Sequence, residues 1–361
     1  MQRAVLYSGI VTIAACFVHT SAGAATVSVN CASAKIQPRI DAAPAATPTT
    51  ITLTGACVEN LTVPYGKDIT LVGSTGSSLA PKVSTTSMII NEGRLELSKM
   101  NIAAPNSTAP TLIESSMART AISATTIKAP KVEEVVFGSA NSVIRISNSS
   151  ITGGTVSTVD VGTGSIAYIS GDPGAEVGTP GAVSTLTGAN TTGSALRCTT
   201  TGSFRIRAFS ATSGDGSVRI LGSKIGIDAY GCTGEIQNKT ALVDNISVSS
   251  HAYLGISASN SRLNINGARV ASNKVAGIGM IASNLILIAS KLTGNPTDIH
   301  AQYNSQVLFQ SGNTQNTLPE LLKTPFDSLY CKANSEISIP KANLKEAIGT
   351  EYDFLGCVKL Y

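Results

Sequence analysis

The feature that most constrains this chain is a fixed step of 22 residues between short segments of the same pattern. The pattern Ser-x-apolar-x-apolar begins at Ser261, Ser283 and Ser305, and a weaker copy begins at Lys239. Two other series share the step: Val248, Val270 and Leu292, and Asn273 and Asn295. A repeat of about 20–25 residues built from short alternating strands is typical of a solenoid.

Segments with the same apolar-x-apolar core occur upstream, at less regular spacing. They are Arg94–Leu97, Ile144–Ile146, Ser165–Tyr168, Ser203–Ile206 and Ser217–Ile220. Strict alternation turns one side chain inward and the next outward. No single coil buries its apolar residues alone, so neighbouring coils must stack. At ~4.8 Å between stacked strands, we expect roughly twelve coils from about residue 50 to 315, forming a rod on the order of 55–60 Å long.

Composition favours a β structure. Charged residues are 13% of the chain, aromatic residues are 4%, and Trp is absent. This charged share is about half the usual value, while 42% hydrophobic residues in regular alternation argue against disorder. A tandem β-sandwich would have a similar composition, but its strands would not keep a register of 22 residues.

The segments Ile51–Val63 and Ile69–Gly73 open the repeat region with alternating apolar residues. With the repeat period and the asparagine positions, they resemble the first coils of secreted bacterial proteins of the right-handed parallel β-helix, the pectate-lyase-like superfold. The resemblance covers roughly residues 45–315. It implies an all-β fold, a right-handed parallel β-helix with ~22-residue coils and a small C-terminal cap. It implies little about function, because the fold hosts lyases, hydrolases, epimerases, adhesins and binding proteins.

The ends of the chain differ from the repeat region. Residues 1–24 are predicted to be a signal peptide, with Arg3 before an apolar run and Ala22-Gly23-Ala24 as a cleavage site. We expect a secreted or periplasmic protein without a transmembrane segment in its mature chain. Lipid anchoring at Cys16 is the alternative, because Ile13–Cys16 resembles a lipobox. We predict a β-helix domain with its N-terminal cap over 25–317 and a disulfide-stapled cap over 318–361, including a short helix from Pro340 to Ile348.

Six cysteines remain after the leader, and an even number in an exported chain indicates disulfides. A disulfide requires Cα atoms within about 7 Å, so pairs on distant coils are excluded. The predicted bridges therefore join neighbours in the sequence: Cys31 to Cys57, Cys198 to Cys232, and Cys331 to Cys357. No Cys-x-x-Cys spacing occurs and the histidines are scattered, so we predict no metal and no cofactor.

The repeat is interrupted between Ser165 and Ser203, where a step of 38 residues, rich in Gly, Pro and Thr, matches neither one period nor two. We interpret the excess as a long loop that leaves the rod, either a functional loop or a linker of no consequence. A basic cluster lies beside it. The candidate ligand-binding residues are Arg145, Arg197, Arg205, Arg207 and Arg219. Arg205 and Arg219 are predicted to face outward on adjacent coils, as a stripe that binds a carboxylated or sulfated sugar. Alternatively, these arginines pair with Asp215, Asp228 or Glu235 on a solvated face.

Three functions are compatible with this chain. The leading hypothesis is non-catalytic binding of carbohydrate or a cell surface. The second is a polysaccharide lyase or hydrolase acting on an acidic polysaccharide, and the third is a structural or adhesive rod. No catalytic residue can be named, since Asp and Glu are sparse and Glu133-Glu134 is the one acidic doublet of the repeat region. Folding could still gather distant carboxylates, and an acidic triad near the long loop would favour an enzyme.

The net charge of the mature chain indicates which class of binding partner to expect. Removing Arg3 from the formal charge of +4 leaves +3 for the mature chain, a weak basic footprint with few aromatic residues. Nucleic acid is therefore not the expected partner. An acidic polysaccharide or a cell-surface glycan fits better.

Overall fold

The computed structural model describes residues 24–171, 183–188, 192–208, 210–211, 214–215, 218–238, 246–310, 320–321, 329–339 and 358–360. For 210–211, 214–215, 320–321, 339 and 358–360 it describes the backbone alone. The chain forms a right-handed parallel β-helix, as predicted. Within the described residues, eleven coils from Pro48 to Lys332 each contribute one strand to each of three long parallel sheets, and the first sheet has further strands at both ends. Each sheet grows along the rod in the order of the chain.

The first sheet has 14 strands. In spatial order they are β1 (Ala25–Asn30), β2 (Pro48–Thr54), β5 (Asp68–Gly73), β8 (Arg94–Ser98), β11 (Arg119–Ser123), β14 (Val143–Ser147), β17 (Ile166–Gly171), β20 (Ser203–Ala208), β25 (Thr233–Asn238), β28 (Arg262–Asn266), β31 (Asn284–Ile288), β34 (Gln306–Gln310), β37 (Glu336–Ile339) and β38 (Val358–Leu360).

The second sheet has 11 strands. They are β3 (Ala56–Val58), β6 (Ser78–Ala80), β9 (Asn101–Ala103), β12 (Thr126–Ala129), β15 (Ser150–Gly153), β18 (Ser184–Thr187), β23 (Val218–Leu221), β26 (Ile246–Ser249), β29 (Arg269–Ala271), β32 (Lys291–Thr293) and β35 (Glu320–Leu321).

The third sheet also has 11 strands. They are β4 (Leu61–Val63), β7 (Ile89–Asn91), β10 (Thr111–Ser116), β13 (Glu134–Ser139), β16 (Ser157–Val161), β19 (Ser194–Thr199), β24 (Ile225–Tyr230), β27 (Leu254–Ser259), β30 (Ala276–Ile281), β33 (Thr297–Gln302) and β36 (Leu329–Lys332). A two-stranded antiparallel pair, β21 (Ser210–Ala211) and β22 (Gly214–Asp215), lies outside these sheets.

A short helix, α1 (Gln37–Ala42), packs at the N-terminal end of the rod. Its residue Ile40 and the preceding Ile36 are fully buried. The carboxylate of Glu59 accepts the backbone N–H groups of Ile36 at 2.8 Å and Gln37 at 3.3 Å. The helix therefore covers the apolar end of the first coil, as a solenoid cap must.

The core is a set of columns in which the same inward position repeats from coil to coil. The column of the first sheet runs through Ile51, Leu71, Leu97, Ile122, Ile146, Ile169, Ile206, Ile236, Ile265, Leu287 and Phe309. All of these side chains are at most 2% exposed. Parallel stacking in register thus buries each branched side chain between two like neighbours, which is why alternation predicted the strands correctly.

Buried serines occupy the corner at which the chain passes from the third sheet to the first. We call Ser261, Ser283, Ser305 and Ser335 the serine ladder. The backbone N–H of Ser261 donates to Oγ of Ser283 at 3.0 Å, and Ser283 and Ser305 repeat this contact one coil further on. The residue before each serine has a positive φ, between 48° and 62°. The repeated serine found in the sequence is therefore a corner residue that satisfies the backbone of the coil before it.

A second ladder occupies the corner between the second and third sheets, and we call His251, Asn273 and Asn295 the asparagine ladder. The N–H of Asn273 donates to Oδ1 of Asn295 at 3.1 Å, and the N–H of His251 donates to Oδ1 of Asn273 at 3.2 Å. His251 accepts the N–H of Ser223 on Nδ1, and its Nε2 lies 3.1 Å from the carbonyl of Ile220. His251 is thus a buried rung of the corner, in its neutral form.

The structure corrects two details of the predicted repeat register. The steps from Arg262 to Asn284 and on to Gln306 are both 22 residues, as predicted. The proposed copy at Lys239 is wrong, because the strand paired with β28 is β25, which aligns Thr233 with Arg262. Ser165 and Ser203 are one coil apart, so the excess lies between β17 and β18 and before β19. Most of that excess, 172–182 and 189–191, lies outside the described residues.

Two predicted disulfides are confirmed, with Cα–Cα distances of 5.0 Å for Cys31–Cys57 and 6.2 Å for Cys198–Cys232. Cys331 is also disulfide-bonded, while its predicted partner Cys357 lies outside the described residues. The predicted signal peptide, apart from Ala24, and the predicted helix at 340–348 lie outside them as well. Within the described ranges, no helix has the length and hydrophobicity needed to cross a membrane.

We predict that Ser283→Ala lowers the free energy of unfolding by about 1–3 kcal/mol, because it leaves the buried N–H of Ser261 without its acceptor. Chemical denaturation monitored by circular dichroism measures the change. Ser84→Ala is the matched control, since Ser84 is exposed and its loss is expected to stay within about 0.5 kcal/mol. Equal losses in the two variants would contradict the role of the serine ladder.

We also predict that His251→Asn weakens the acid sensitivity of folding. Burial lowers the pKa of His251 from 6.5 to about 4, so the unfolded chain takes up this proton at a higher pH than the folded chain. Stability is therefore lost as the pH falls from about 6.5 towards 4, by roughly 2–3 kcal/mol for this residue. Asparagine keeps a hydrogen-bonding rung without titrating. Unfolding free energies at pH 7 and pH 4.5 in the two proteins isolate the contribution, and an identical pH dependence would show that His251 does not titrate this way.

Candidate functional site

The five predicted arginines are distributed over three sheets. Arg145, Arg205 and Arg207 lie on the first sheet, Arg197 on the third and Arg219 on the second. The predicted stripe of Arg205 and Arg219 on adjacent coils is therefore wrong. Both lie in apolar-x-apolar strands, and that pattern does not reveal which sheet a strand joins. Only 14 residues separate Arg205 from Arg219, which is less than one coil. This short spacing indicates that the two residues lie on different sheets of the same coil.

The arginines of the first sheet have partners on neighbouring coils. Arg205 and Arg207 both approach Oε2 of Glu235, at 3.3 Å and 3.6 Å. This confirms, for these two residues, the alternative prediction of a paired polar face. Arg145 lies over the ring of Tyr168 at 5.2 Å, and Arg205 lies over the same ring at 6.0 Å.

Arg197 is in a different environment, at the centre of three carboxyl groups on the outer face of the third sheet. The register aligns Asp160, Arg197 and Asp228 on successive strands β16, β19 and β24. Neighbouring strands lie about 4.8 Å apart, so these side chains form one outward column. We call Glu134, Asp160, Arg197 and Asp228 the carboxylate cluster.

Asp160 and Arg197 form the innermost contact of the cluster. Nη1 of Arg197 lies 3.4 Å from Oδ2 of Asp160, and Asp160 is only 3% exposed. Burial raises the pKa of the Asp160 carboxyl, while the charge of Arg197 and a hydrogen bond with Glu134 lower it. Among the described residues no N–H or hydroxyl group donates to Oδ1 of Asp160. This carboxylate is therefore desolvated without full compensation.

Glu134 and Asp160 share a proton. Burial, the charge of Asp160 and the hydrogen bond between the two carboxyl groups raise the pKa of Glu134 to about 7. A hydrogen bond between two carboxyl groups requires one of them to be protonated, and here Glu134 is the donor. Oγ1 of Thr111 donates to Oε2 of Glu134 at 3.2 Å. A pKa of about 7 leaves Glu134 protonated in a substantial fraction of molecules near neutral pH.

Asp228 lies on the other side of Arg197. Burial raises the pKa of its carboxyl, whereas a hydrogen bond from Ser257 and the charges of Arg197 and Lys224 lower it. The Nζ atom of Lys224 lies 5.9 Å from the centre of the Tyr253 ring. Asp228 and Glu134 are half-buried, so both have a side exposed to solvent, in contrast to Asp160.

The inserted segment belongs to the coil at the centre of the cluster. Residues 172–182 lie between β17 and β18, and 189–191 lie between β18 and the strand that carries Arg197. Ser157, next to Glu134 in the sheet, is fully buried, and its hydroxyl has no hydrogen-bond partner among the described residues. The coil that carries Arg197 is therefore unusually long, and it stacks on the coil that carries the desolvated Asp160 and the hydroxyl of Ser157.

The carboxylate cluster was not predicted, although the sequence contains two signals of it. Glu134 belongs to the acidic doublet, and Asp160 interrupts an apolar strand between Val159 and Val161. A charged residue within an apolar run indicates an outward position of a β-helix strand. The hypothesis that Asp215 and Asp228 come together is not tested, because the side chain of Asp215 lies outside the described residues.

Comparisons with models of protein families, with curated proteins and with solved structures gave no match to this chain.

We predict that Arg197→Ala lowers the free energy of unfolding at pH 7 by about 1–3 kcal/mol, less than for a fully buried pair because Arg197 is partly exposed. The loss should shrink as the pH falls, because a protonated Asp160 no longer needs the guanidinium. Denaturation at pH 7 and pH 4.5 measures both effects. Arg219→Ala, at an exposed position of the second sheet, is the control, and an equal effect from the two substitutions would contradict the ion pair.

Proposed function

We propose that this protein hydrolyses glycosidic bonds of an acidic polysaccharide at the carboxylate cluster. The observation that carries the proposal is the pair of half-buried carboxyl groups, Glu134 with a pKa raised to about 7 by burial and by Asp160, and a separate Asp228, on either side of Arg197. Strongly shifted pKa values that arise from burial and a charged partner are typical of functional sites. Two carboxyl groups in different protonation states are what hydrolysis of a glycosidic bond requires.

Glu134 is the proposed general acid. Its pKa of about 7 keeps it substantially protonated near neutral pH, so it can give a proton to the oxygen of the leaving sugar. Asp160 stabilises the protonated form through its negative charge and orients it by accepting its hydrogen bond. Asp160 is nearly inaccessible to solvent, so it is a positioning residue in this mechanism.

Asp228 is the proposed general base, which activates the attacking water. The carboxyl group of Glu134 contacts Asp160, and Asp160 and Asp228 are two coil steps apart. Glu134 lies one strand further along the sheet, on β13, so its backbone is three steps, roughly 14 Å, from Asp228, and its side chain reaches back towards Asp160. This spacing exceeds the separation of about 5–5.5 Å between an acid and a nucleophile in retaining hydrolases, and it leaves room for a water between the two carboxyl groups. We therefore propose hydrolysis with inversion at the anomeric carbon, with no covalent intermediate.

Arg197 and Lys224 supply the preference for an acidic substrate. Both positive groups adjoin Asp228, and Arg197 has an exposed part available to a carboxylate of the sugar. A planar guanidinium can hold such a carboxylate through two parallel hydrogen bonds. The same two cations could also stabilise the enolate-like charge that forms in a lyase reaction. A lyase would cleave the polymer by elimination and give an unsaturated product, whereas a hydrolase adds water.

Non-catalytic binding of a carbohydrate or cell surface, our leading hypothesis from the sequence, remains a proposal and is distinguished by the absence of product. A structural rod would neither bind nor cleave. Membership of the pectate-lyase-like superfold and export to the periplasm or the exterior also remain proposals. They are supported by the parallel β-helix and by disulfides of the kind that persist in oxidising compartments.

We predict that the purified chain releases reducing ends from a polyuronate and that Glu134→Gln and Asp228→Asn each lower the rate at least about 100-fold, the usual contribution of general acid–base catalysis. The rate should fall as the pH rises above about 7, because Glu134 loses its proton. Reducing-end release, absorbance of unsaturated products and the anomeric configuration by NMR measure these outcomes.

Glu133→Gln is the matched control, because Glu133 is exposed and adjoins Glu134, and it should retain full activity. Binding without any product would contradict hydrolysis and support the hypothesis of non-catalytic binding. Unsaturated products would indicate a lyase, and retained activity in Asp228→Asn would remove Asp228 as the base.

A further inference from the structure

We propose that the first sheet carries a separate binding site for the carboxylate or sulfate groups of an acidic polysaccharide, formed by Arg119 and Arg145. The site lies on a different sheet from the carboxylate cluster, and it does not depend on catalysis there. It would hold the polymer on the rod whether or not the polymer is cleaved. The observations that support it are the register of the sheet, the distribution of acidic partners and the fixed position of Arg145.

The register brings arginines together on three adjacent coils. Arg119 aligns with Arg94 on the preceding strand, and Arg145 aligns with Ala121, two positions along the strand from Arg119. All three side chains occupy outward positions of the sheet. Arg94 and Arg145 are exposed and Arg119 is half-buried. Three guanidinium groups thus face solvent within two coil steps.

The ion pairs lie at the two ends of this series, and in the part of the chain that the structure describes neither arginine in its middle has one. Nη1 of Arg94 lies 3.2 Å from Oδ2 of Asp68, and Arg205 pairs with Glu235 beyond Tyr168. Within the described residues, neither Arg119 nor Arg145 forms an ion pair. Burial and the charges of Arg145 and Arg94 lower the pKa of Arg119, and the nearby acidic groups Asp68 and Glu96 do not reverse this. An anion between Arg119 and Arg145 would remove their repulsion.

Arg145 is held in place before a ligand arrives. Its guanidinium lies 5.2 Å from the centre of the Tyr168 ring, and Arg205 contacts the other side of that ring at 6.0 Å. Glu235 neutralises Arg205 and so reduces its repulsion of Arg145. A side chain fixed by cation–π contact loses less conformational freedom on binding. The stack therefore orients Arg145 for a ligand group on its free side.

The surface between Arg119 and Arg145 forms a shallow depression, because the residue between them, Ala121, has a small side chain. Glu96 lies on the other side of Ala121 from Arg145. A group that binds here meets two guanidinium donors and one carboxylate acceptor. A sugar acid satisfies both, since its carboxylate or sulfate accepts from the arginines and a hydroxyl donates to Glu96. A DNA backbone or a phospholipid headgroup layer lacks a hydroxyl donor at each anionic unit, so it would leave Glu96 without a partner, and an acidic polysaccharide is the favoured partner.

The test measures binding of the full chain to immobilised polygalacturonate and dextran sulfate, with neutral dextran as the reference surface. All proteins carry Glu134→Gln so that cleavage does not affect the signal. Arg119→Gln with Arg145→Gln should weaken binding to one of the acidic polymers roughly tenfold or more, as expected for the loss of two charge-assisted contacts. Binding should also weaken with salt, because exposed charges are screened over about 8 Å at physiological ionic strength.

Arg262→Gln with Arg219→Gln is the matched control, since it removes the same charge from exposed positions away from the site. Thermal melting checks that both double variants fold, and single Arg145→Lys, which keeps the charge but not the planar donor pair, provides a milder second variant. An equal loss in control and test variants would overturn the site in favour of net charge alone. Absence of binding to both acidic polymers, or stronger binding to DNA or to anionic vesicles, would overturn the proposed partner.

Discussion

Every feature of this protein depends on the stacking of coils in register along three parallel sheets. A parallel ladder satisfies the backbone N–H and C=O groups between coils, and it places equivalent side chains above one another about 4.8 Å apart. Inside the rod, the result is a set of aliphatic columns with side chains at most 2% exposed in the first sheet. At the corners, the same stacking lets one side-chain oxygen accept an N–H from the preceding coil, as Ser283 does for Ser261.

Outside the rod, the same constraint determines which charges meet. Each outward side chain has two neighbours in its column, and those neighbours come from distant parts of the sequence. Asp160 and Arg197 are 37 residues apart yet form an ion pair, because the inserted segment lies within a single coil between them. The chain can therefore place a carboxyl group beside another without any local motif. Catalytic motifs defined by short spacing are poor guides to a β-helix for this reason.

Outward charged side chains are partly exposed on the first sheet, whereas some of those on the third sheet are buried. On the first sheet, Glu235 pairs with Arg205 and Arg207, and all three remain partly exposed. On the third sheet, Asp160 is buried, and burial together with Asp160 raises the pKa of Glu134 to about 7. Burial of a carboxylate destabilises a protein unless the charge is compensated. The arrangement on the third sheet therefore needs an explanation beyond folding, and acid–base chemistry on a polysaccharide is the one we propose.

The sequence by itself determined the elements whose signal is local. Alternation identified the strands, repeated serines and asparagines marked the corners, and distance along a rod limited Cys31 and Cys198 to neighbouring partners. The sequence did not determine the sheet to which each strand belongs, because all three sheets share the apolar-x-apolar pattern and coils vary in length. Arg219 was consequently aligned with Arg205, and the weak repeat at Lys239 was given the wrong register. The meeting of Glu134, Asp160, Arg197 and Asp228 was decided by the tertiary structure alone, since lateral contact in a parallel β-helix follows the number of coils and not the number of residues.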